Sequence, residues 1–467
     1  MKRHRTGAAN ASTRKWPWED WDGKGTPTFG ERLPDGSLIE LVRDPSDATK
    51  AMLLCRVGEQ VTIADKIYAG DRIFVPAVFD PVLLRQLRLP CKDLPCGPTQ
   101  ALVDQISSIV MKTVEPAAEN AFLVAVFAVA SFFPDCLLTR LCLLLLGSAN
   151  TEAMALLRVL SWFCWHPLLL LDDGGIDQLP ENLITTRFFY APRISAHLRK
   201  LISNLQAPGF GVIRNGSLRE SHGAVVIYSG SSDLGCGGDD ACLRIPVAPA
   251  GRLLRPYEEE LYRDVADEIR AKLLNYRLVH RDEVRGSEFD VTGLTGPTRE
   301  LARGLGACLI DAPDLRDRLI ALLRDQDESV RMERSAEMSP TLESLIVSCH
   351  ERRPAVHVGA IAKTGTEILS ARGESTTLSP KEVGNKLKLL GLHTTRLDAS
   401  GRGLKLTRGV CARIHQLARD FGVPASEKGL PGCPDCKQIL DQQSNSALRA
   451  HDAPIQGGGK ANESKHQ

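Results

Sequence analysis

The chain has 467 residues, of which 43% are hydrophobic, so about three globular domains of roughly 150 residues each are expected. Its 58 basic and 57 acidic residues give a formal net charge of +1, which excludes a uniformly basic surface. Any contact with nucleic acid must therefore come from a local patch. The 13 cysteines are scattered and many lie within apolar runs, which excludes a disulfide framework and favours a reducing cytoplasm.

Residues 1–25 are polar and basic, have no hydrophobic periodicity, and are predicted to form a disordered arm. No apolar region follows the basic start, so a signal peptide is not expected. Over residues 26–94, short apolar runs alternate with turn signals such as Asp35-Gly36 and Gly70-Asp71. This spacing predicts a small β-rich module, for which the sequence indicates no chemistry.

Residues 95–250 alternate helical patterns with continuous apolar runs. The runs Leu141–Leu146 and Leu168–Leu171 are expected to be strands buried on both faces, with a helix at Thr151–Phe163 between them. Strands that alternate with helices predict a doubly wound, mostly parallel sheet. Ala121–Phe133 is also apolar, but it is shorter than the roughly 18–20 residues that cross a bilayer. It is therefore predicted to be a buried helix, and no membrane segment is expected.

A helical subdomain is predicted over residues 251–336, where the strand patterns stop. Its first helix, Tyr257–Tyr276, is amphipathic, and further helices are expected at Thr298–Ile310 and Pro313–Asp325. The apolar face of the first helix is predicted to consist of Leu261, Val265, Ile269, Leu273 and Tyr276, with charged residues on the opposite face.

The strongest functional signal lies in residues 337–425. Two helices are predicted at Thr341–Arg352 and Val356–Ala371, and a third between the N-cap Ser379 and the C-terminal stop Gly391. The third helix starts with Ser-Pro-Lys-Glu, which places proline at the first helical position and completes a capping box. The sequence therefore predicts a short helix with sharp ends.

The third helix has Val383, Leu387 and Leu390 on its apolar face and lysines on the other. A polar hairpin with strands at Thr394–Leu397 and Gly403–Leu406 follows, and then a final helix. This order predicts a winged helix-turn-helix that binds double-stranded DNA, with a winged helix used only for protein contacts as the alternative. The side chains expected in the groove are Lys381, Asn385, Lys386 and Lys388, and those expected on phosphates are Arg396, Arg402 and Lys405.

Residues Leu141–Phe163 are predicted to form a strand, a loop and a helix, and the next buried strand ends in paired aspartates. This is the layout of a P-loop ATPase. Over roughly residues 95–425 the order of parts resembles the helicase-like ATPases of phages, plasmids and integrated elements, in layout more than in motif. The resemblance implies a RecA- or AAA-like sheet, a helical lid, a winged helix, and ATP with magnesium as ligands. By the same resemblance, Tyr228 and Ser229 are candidates to sense the terminal phosphate, and Arg299 and Arg303 are trans-acting arginines or solvated helix charges.

The phosphate-binding loop departs from this family. A P-loop needs glycine amides around the phosphates, a lysine, and a serine or threonine for magnesium. The loop Gly147-Ser148-Ala149-Asn150-Thr151-Glu152-Ala153 has one glycine, one threonine and no lysine. Glu152 occupies the helix N-terminus, where a phosphate would otherwise be favoured. We interpret this as a degenerate ATPase core, in which the candidate nucleotide-binding residues are Gly147, Thr151, Asp172 and Asp173; the two aspartates alternatively cap the turn that follows them.

Residues 426–467 are predicted to be a flexible tail that carries the C-x-x-C pair Cys433 and Cys436. A structural zinc site needs four ligands, and no second pair lies nearby. Cys411 and His415, four residues apart on one helical face, complete such a site only if the tail folds back.

The sequence therefore predicts a cytoplasmic α/β protein that binds double-stranded DNA in replication or maintenance of a mobile element, with a core that does not hydrolyse ATP. One alternative is an active ATPase or helicase whose turnover depends on Asp172 or Asp173. Another is a ligand-responsive transcription regulator with a preferred operator. A homo-oligomer is left open.

Overall fold

The structure, a computed structural model, describes residues 25–47, 49–77, 81–147, 150–170, 184–192, 198, 211–214, 217–220, 223–230, 242–248, 258–372, 375–399, 401–421 and 423. Its contacts divide the chain into two units, residues 1–327 and 328–467. The predicted arm apart from Gly25, the tail with Cys433 and Cys436, and the pair Asp172 and Asp173 lie outside the described residues.

The first unit begins with β strands, as the turn spacing predicts. They are β1 (Thr26–Thr28), β2 (Gly30–Arg32), β3 (Leu38–Arg43), β4 (Ala51–Val57), β5 (Gln60–Ala64), β6 (Ile67–Ala69) and β7 (Arg72–Pro76), followed by helix α1 (Pro81–Gln86). One antiparallel sheet has the order β2-β3-β4-β5, and a second sheet has the order β1-β7-β6. Ile39, Leu41 and Leu53 are fully buried between these strands and α1.

An α/β region follows. Its elements are α2 (Thr99–Val114), α3 (Ala118–Ala130), β8 (Cys142–Leu146), α4 (Asn150–Leu160), β9 (Pro167–Leu170), β10 (Thr186–Tyr190), β11 (Gly211–Arg214), β12 (Ser217–Glu220), β13 (Val225–Ser229) and β14 (Cys242–Pro246). Strands β11 and β12 pair as an antiparallel hairpin. The other five form one sheet in the order β14-β8-β13-β10-β9, and every neighbouring pair is parallel. This sheet is consistent with the RecA- or AAA-like core that the sequence predicts.

The apolar run of β8 is explained by burial on both faces of the sheet. Leu143 and Leu145 belong to the large core that includes α2 and α3, whereas Cys142 and Leu144 belong to a separate cluster on the other face. Consecutive residues of a strand point to opposite faces, so a strand covered on both sides needs no polar alternation. In α3, the residues from Ala121 to Ala130 are all buried, which confirms the predicted buried helix.

The helical part of the first unit differs from the prediction in which face is buried. Helix α5 spans Glu258–Arg285, and α6 spans Gly296–Ala307. Leu261 is 73% exposed and Val265 43% exposed, so their assignment to the apolar face is wrong. The helix instead buries three arginines, Arg270, Arg277 and Arg281, together with Ile269, Leu273 and Tyr276. The reason is that Arg277 and Arg281 pair with carboxylates from distant segments, Glu40 and Asp135. Arg270 instead contacts Asp267 on its own helix and donates to the Trp162 carbonyl.

Helix α7 spans Pro313–His350 and crosses the boundary between the units, with Pro340 inside it. The sequence predicts two helices here, at Pro313–Asp325 and Thr341–Arg352, so the prediction of separate helices is wrong. Just after the proline, the Ser344 hydroxyl donates to the Pro340 carbonyl at 2.7 Å.

The second unit continues with a small helical and antiparallel fold. Its elements are β15 (Ala355–His357), α8 (Val358–Ala371), α9 (Pro380–Leu389), β16 (Thr395–Asp398), β17 (Gly401–Lys405) and α10 (Arg408–Asp420), and its sheet has the order β15-β17-β16. Val356 pairs with Leu404, so its assignment to a helix is wrong. A Cβ at Gly403 would lie 2.2 Å from the Val356 carbonyl, so glycine permits this pairing.

No helix of the described residues combines the length and the apolar character that a bilayer span requires.

Candidate functional site

Helix α9 has a defined structure at both ends. The Ser379 hydroxyl accepts from the Glu382 amide at 3.2 Å, and the Glu382 carboxylate accepts from the Ser379 amide at 2.8 Å, which confirms the predicted capping box. These hydrogen bonds lower the pKa of Glu382. At the other end Gly391 adopts a left-handed φ of 71°, and the Leu392 amide donates to the Leu387 carbonyl at 2.8 Å. This is a Schellman closure, so the helix cannot extend in either direction without losing hydrogen bonds.

The two faces of α9 are divided as its periodicity predicts. Val383 and Leu387 are fully buried in the core of the second unit, together with Leu390 after the helix. The side chains of Lys381, Asn385 and Lys388 are exposed. The fourth expected groove residue, Lys386, is half-buried, and its ammonium donates to the Glu337 carbonyl at 2.9 Å.

The connection between the two strands of the hairpin after α9 is shorter than the sequence predicts. Asp398 pairs with Gly401, so the connection has only two residues, and Gly401 has a φ of 140°. The Asp398 carboxylate lies 3.1 Å from Nε2 of His357 on β15, the strand on the other side of β17. The hairpin therefore has an acidic group near its end.

The three basic residues expected on phosphates are all exposed on this hairpin: Arg396, Arg402 and Lys405. The Arg402 guanidinium donates to the Thr394 carbonyl at 2.7 Å and to its hydroxyl at 3.3 Å. The Arg396 guanidinium approaches the Asp398 carbonyl at 3.4 Å. Arg402 is thus held along the hairpin by local hydrogen bonds.

The candidate nucleotide loop begins at the carboxyl end of β8. The Gly147 amide donates to the Ser229 carbonyl of the neighbouring strand β13 at 3.3 Å, and the Gly147 carbonyl accepts from the Tyr228 hydroxyl at 2.9 Å. Gly147 has a φ of 145°, and a Cβ there would lie 2.3 Å from the Val247 carbonyl. The glycine is therefore needed for close packing of the backbone, and its amide is already used by the protein.

The surroundings of this loop do not favour a phosphate. Thr151 is exposed in the first turn of α4, and Glu152 lies beside it in the same turn. The Tyr190 and Tyr228 rings stack with centroids 5.3 Å apart. Burial raises the pKa of Tyr228, and the neighbouring Tyr190 and Glu152 raise it further. A carboxylate thus lies near the position where phosphate charge would have to be accepted.

Strand β9, which precedes Asp172 and Asp173, is the edge strand of the sheet. It is separated from β8 by β10 and β13. Neighbouring strands lie about 4.8 Å apart, so the end of β9 is roughly 14 Å from the end of β8. A magnesium site shared by the aspartates and the Gly147 loop would have to bridge that distance.

Arg299 and Arg303 form ion pairs on their own helix and the segment before it. Both contact the Asp290 carboxylate, and Arg303 also lies 2.9 Å from Glu300. The hydrogen bond from Arg299 holds the pKa of Asp290 well below its usual range. These contacts favour solvated helix charges over trans-acting arginines.

The candidate zinc ligands Cys411 and His415 lie on α10. The His415 Nδ1 is 2.8 Å from the Cys411 carbonyl, and its Nε2 is 3.3 Å from Nε2 of His350. Within the described residues, no three potential ligands converge into a metal-binding group. Because Cys433 and Cys436 lie outside the described residues, zinc binding stays a prediction.

One arginine-rich cleft in the first unit is missed by the sequence analysis. It is lined by Arg43, Leu84, Arg85, Arg88, Leu89, Trp162, Arg263, Ala266, Asp267 and Arg270. These residues come from segments far apart in the chain, so only the spacing of Arg263, Asp267 and Arg270 on one face of α5 could have indicated it.

No protein-family model and no curated protein matches the sequence. Among solved structures, the chain is similar to the apo C-terminal region of NrS-1, at 11% identity over 79% of this chain and 96% of that chain, with a TM-score of 0.31. It is also similar to an MCM homolog from Methanopyrus kandleri, at 12% identity over 62% and 76%, with a TM-score of 0.33. A third is Drosophila ORC bound to DNA, at 12% identity over 73% and 91%, with a TM-score of 0.17. These TM-scores are too low to support a functional argument, and the α/β class follows from the sheet itself.

Proposed function

We propose that this protein binds double-stranded DNA and that its second unit is a winged helix-turn-helix. The main support is α9, which has hydrogen-bonded ends, buries Val383 and Leu387, and exposes Lys381, Asn385 and Lys388. A short helix of defined length with polar side chains on its free face suits the major groove. The order of α8, α9 and the β16–β17 hairpin fits a recognition helix followed by a wing.

Local charge supports nucleic acid over a protein partner for this surface. Residues 380–405 contain six basic and two acidic residues, although the whole chain has a net charge of only +1. One of the two acidic residues, Glu382, is used by the capping box. Arg402, held by Thr394, and Lys405 would contact phosphates, while Lys381, Asn385 and Lys388 would face the groove.

The core is proposed to be an ATPase-like scaffold that does not hydrolyse ATP. The loop after β8 has no lysine, the Gly147 amide is bonded to Ser229, and Glu152 lies in the first turn of α4. None of these features supports binding of the phosphates of ATP with magnesium. The layout resemblance supports a DNA-binding function in replication or maintenance of a mobile element, and assembly into a homo-oligomer is an open part of the proposal.

The test is a titration of a labelled duplex with the full-length protein at several salt concentrations. Wild-type affinity should fall steeply with salt, because phosphate contacts release counterions. The variant Lys381→Ala/Lys388→Ala should bind more weakly at every salt concentration, because it removes two basic side chains that face the groove.

The matched control is Lys66→Ala/Lys112→Ala, which removes the same charge from exposed positions in the first unit. It should bind like the wild type. Negligible duplex binding by all three proteins, with folding verified by circular dichroism, would make this unit a protein-contact module instead. If the wild-type protein hydrolyses ATP and the variant Asp172→Asn/Asp173→Asn does not, the proposal that the core does not hydrolyse ATP is overturned.

A further inference from the structure

A cleft in the first unit concentrates arginines that the proposed DNA-binding function does not use. Its volume is about 380 Å³. Arg43 comes from the end of β3, Arg85 from the last turn of α1, and Arg88 from the turn that follows, whereas Arg263 and Arg270 lie on α5. The fold thus brings five guanidinium groups from three parts of the chain to one cavity.

The carboxylate charge in the cleft is smaller than the guanidinium charge. Asp267 is the acidic residue of the lining, and it is shared: it contacts Arg270 and lies 3.4 Å from Arg43. At the rim, Arg263 pairs with the well-exposed Glu260 at 3.4 Å. With Arg88 left out, the four other arginines and the carboxylates of Asp267 and Glu260 have a formal charge of +2, which an anionic ligand would neutralise.

Arg270 is the buried base of this cluster. Its side chain is 8% exposed, and its Nη1 donates to the Trp162 carbonyl at 2.9 Å. Among the described residues, no group accepts a hydrogen bond from its buried Nε. Burial, together with the positive charges of Arg88 and Arg43, lowers the pKa of Arg270 to about 9. A buried guanidinium with an open donor and like-charged neighbours is stabilised when an anion arrives.

The backbone at Arg88 is also unusual. Its φ of 45° is left-handed, a conformation that non-glycine residues adopt infrequently. The following residue, Leu89, is buried, as is Leu84 on α1, so this turn is anchored by apolar packing. The anchored turn places Arg88 in the cleft lining at the cost of a strained backbone, a feature that often accompanies ligand sites.

We propose that this cleft binds a compact polyphosphate group, either inorganic pyrophosphate or the phosphates of a nucleotide. Guanidinium groups match phosphate oxygens with paired hydrogen bonds, and the excess positive charge of the lining favours a multiply charged polyphosphate over a singly charged carboxylate. The cavity volume falls within the range of small-molecule sites, and its base is a buried arginine. A cleft of this size suits a short anion better than a nucleic-acid chain, which needs a continuous track of cations. The inference is independent of the DNA-binding proposal.

The experiment is a calorimetric titration of the full-length protein with inorganic pyrophosphate and, separately, with magnesium-free ATP. Each should bind saturably with one site per chain. The variant Arg85→Gln/Arg263→Gln removes two rim arginines and spares the buried Arg270 and its contacts. Its pyrophosphate dissociation constant should rise at least about tenfold, because charge-assisted hydrogen bonds are lost.

The control is Arg72→Gln/Arg285→Gln, which removes two exposed arginines of the same unit outside the cleft. Its affinity for pyrophosphate should match that of the wild type. Tighter binding of ATP than of pyrophosphate would identify a nucleotide as the source of the phosphates, and equal binding would identify the phosphate group alone. Absence of saturable binding by either probe, or equal weakening in both variants, would overturn the proposal. So would binding of a short single-stranded oligonucleotide that depends on Arg85 and Arg263 when pyrophosphate does not bind.

Discussion

Helices α5 and α9 both carry several basic residues, but the protein uses them in opposite ways. On α5, Arg277 and Arg281 point into the first unit, and their side chains are 8% and 7% exposed. On α9, Lys381 and Lys388 are exposed. The hydropathy of the two helices alone does not distinguish them. The difference lies in whether carboxylates from elsewhere in the chain meet the basic groups.

On α5 the carboxylates come from distant segments. The Arg277 guanidinium lies 2.7 Å from Glu40 on β3 and 2.6 Å from Asp135 after α3, and it also donates to the Phe132 carbonyl at 2.6 Å. Arg281 contacts Asp135 at 2.6 Å. Burial alone would raise the pKa of Asp135, but the two guanidiniums outweigh it and hold that pKa well below its usual range.

Glu40 illustrates that burial of a carboxylate is energetically unfavourable even beside a guanidinium. Burial raises the pKa of Glu40 in spite of the favourable charge of Arg277. The pKa of Arg277 is raised, because Glu40 and Asp135 outweigh its own burial. Buried pairs of this kind hold distant segments together, whereas Lys381 and Lys388 on α9 have no carboxylate partner among the described residues and are available to an external anion. The arginine cleft combines both situations, because Arg270 and Arg43 share the Asp267 carboxylate while Arg85 is exposed.

The ion pairs of Arg277 and Arg281 with Glu40 and Asp135 are called the α5 network, and breaking this network should have the largest effect on stability. Arg277→Met should lower the free energy of unfolding by about 3–5 kcal/mol, because it leaves Glu40 uncompensated and removes one partner of Asp135. Urea denaturation followed by circular dichroism measures it. Arg285→Met, at an exposed position of the same helix, is the control and should change stability by less than about 0.5 kcal/mol. A loss of under 1 kcal/mol for Arg277→Met would show that the network has no structural role.

A second prediction concerns His166, a buried base for which the described residues provide no carboxylate partner. His166 is 3% exposed, its Nδ1 lies 3.1 Å from the Ile184 carbonyl, and burial lowers its pKa to about 3. The folded state therefore prefers the neutral ring, and the unfolded state binds the proton first as pH falls below about 6.5. Stability should be complete above that pH and should decline by about 2 kcal/mol between pH 7 and pH 5.

The measurement is urea unfolding as a function of pH. His166→Asn is the comparison variant, since asparagine tolerates the φ of 40° at this position and does not titrate. The variant should show a shallower decline toward pH 5. Identical pH profiles in the two proteins would place the dependence on other groups, such as His350, whose pKa is also lowered by burial and by its neighbour His415.

A third prediction tests the N-cap of α9. Ser379→Ala removes the acceptor of the Glu382 amide and should destabilise the second unit by about 1 kcal/mol. Thermal melting monitored by circular dichroism measures the change, and duplex affinity should fall with it. Ser370→Ala, at an exposed position on α8, is the matched control. Unchanged melting in Ser379→Ala would mean that tertiary packing alone sets the start of the helix.

The smallest effect is expected at Lys386. Its ammonium is bonded to the Glu337 carbonyl, so Lys386→Ala should reduce duplex affinity less than Lys381→Ala, with a change in salt slope below about one. Fluorescence anisotropy with a labelled duplex compares the two single variants. An equal or larger loss of duplex affinity in Lys386→Ala would show that the Lys386 ammonium breaks its hydrogen bond to the Glu337 carbonyl and contacts a phosphate instead.

Much of the second unit can be read directly from the chain. Ser379 and Glu382 predict the N-terminus of α9 because capping is a contact between residues three apart. The spacing of Val383 and Leu387 predicts its buried face, because helical periodicity is local. Val356, in contrast, continues an apolar helical pattern but pairs with Leu404, since a strand partner 48 residues further on is invisible to periodicity.

By itself, the sequence determined the elements whose signals are local: the buried helix α3, the apolar strand β8 and the capped helix α9. The tertiary structure decided which basic side chains are buried in ion pairs and which are exposed to an external anion. It paired Arg277 with Glu40, 237 residues away, placed β9 at the sheet edge away from Gly147, and gathered the arginines of the cleft. The physical reason is that charge burial and strand order depend on what lies opposite a side chain in space, whereas propensity, capping and periodicity depend on near neighbours in the chain.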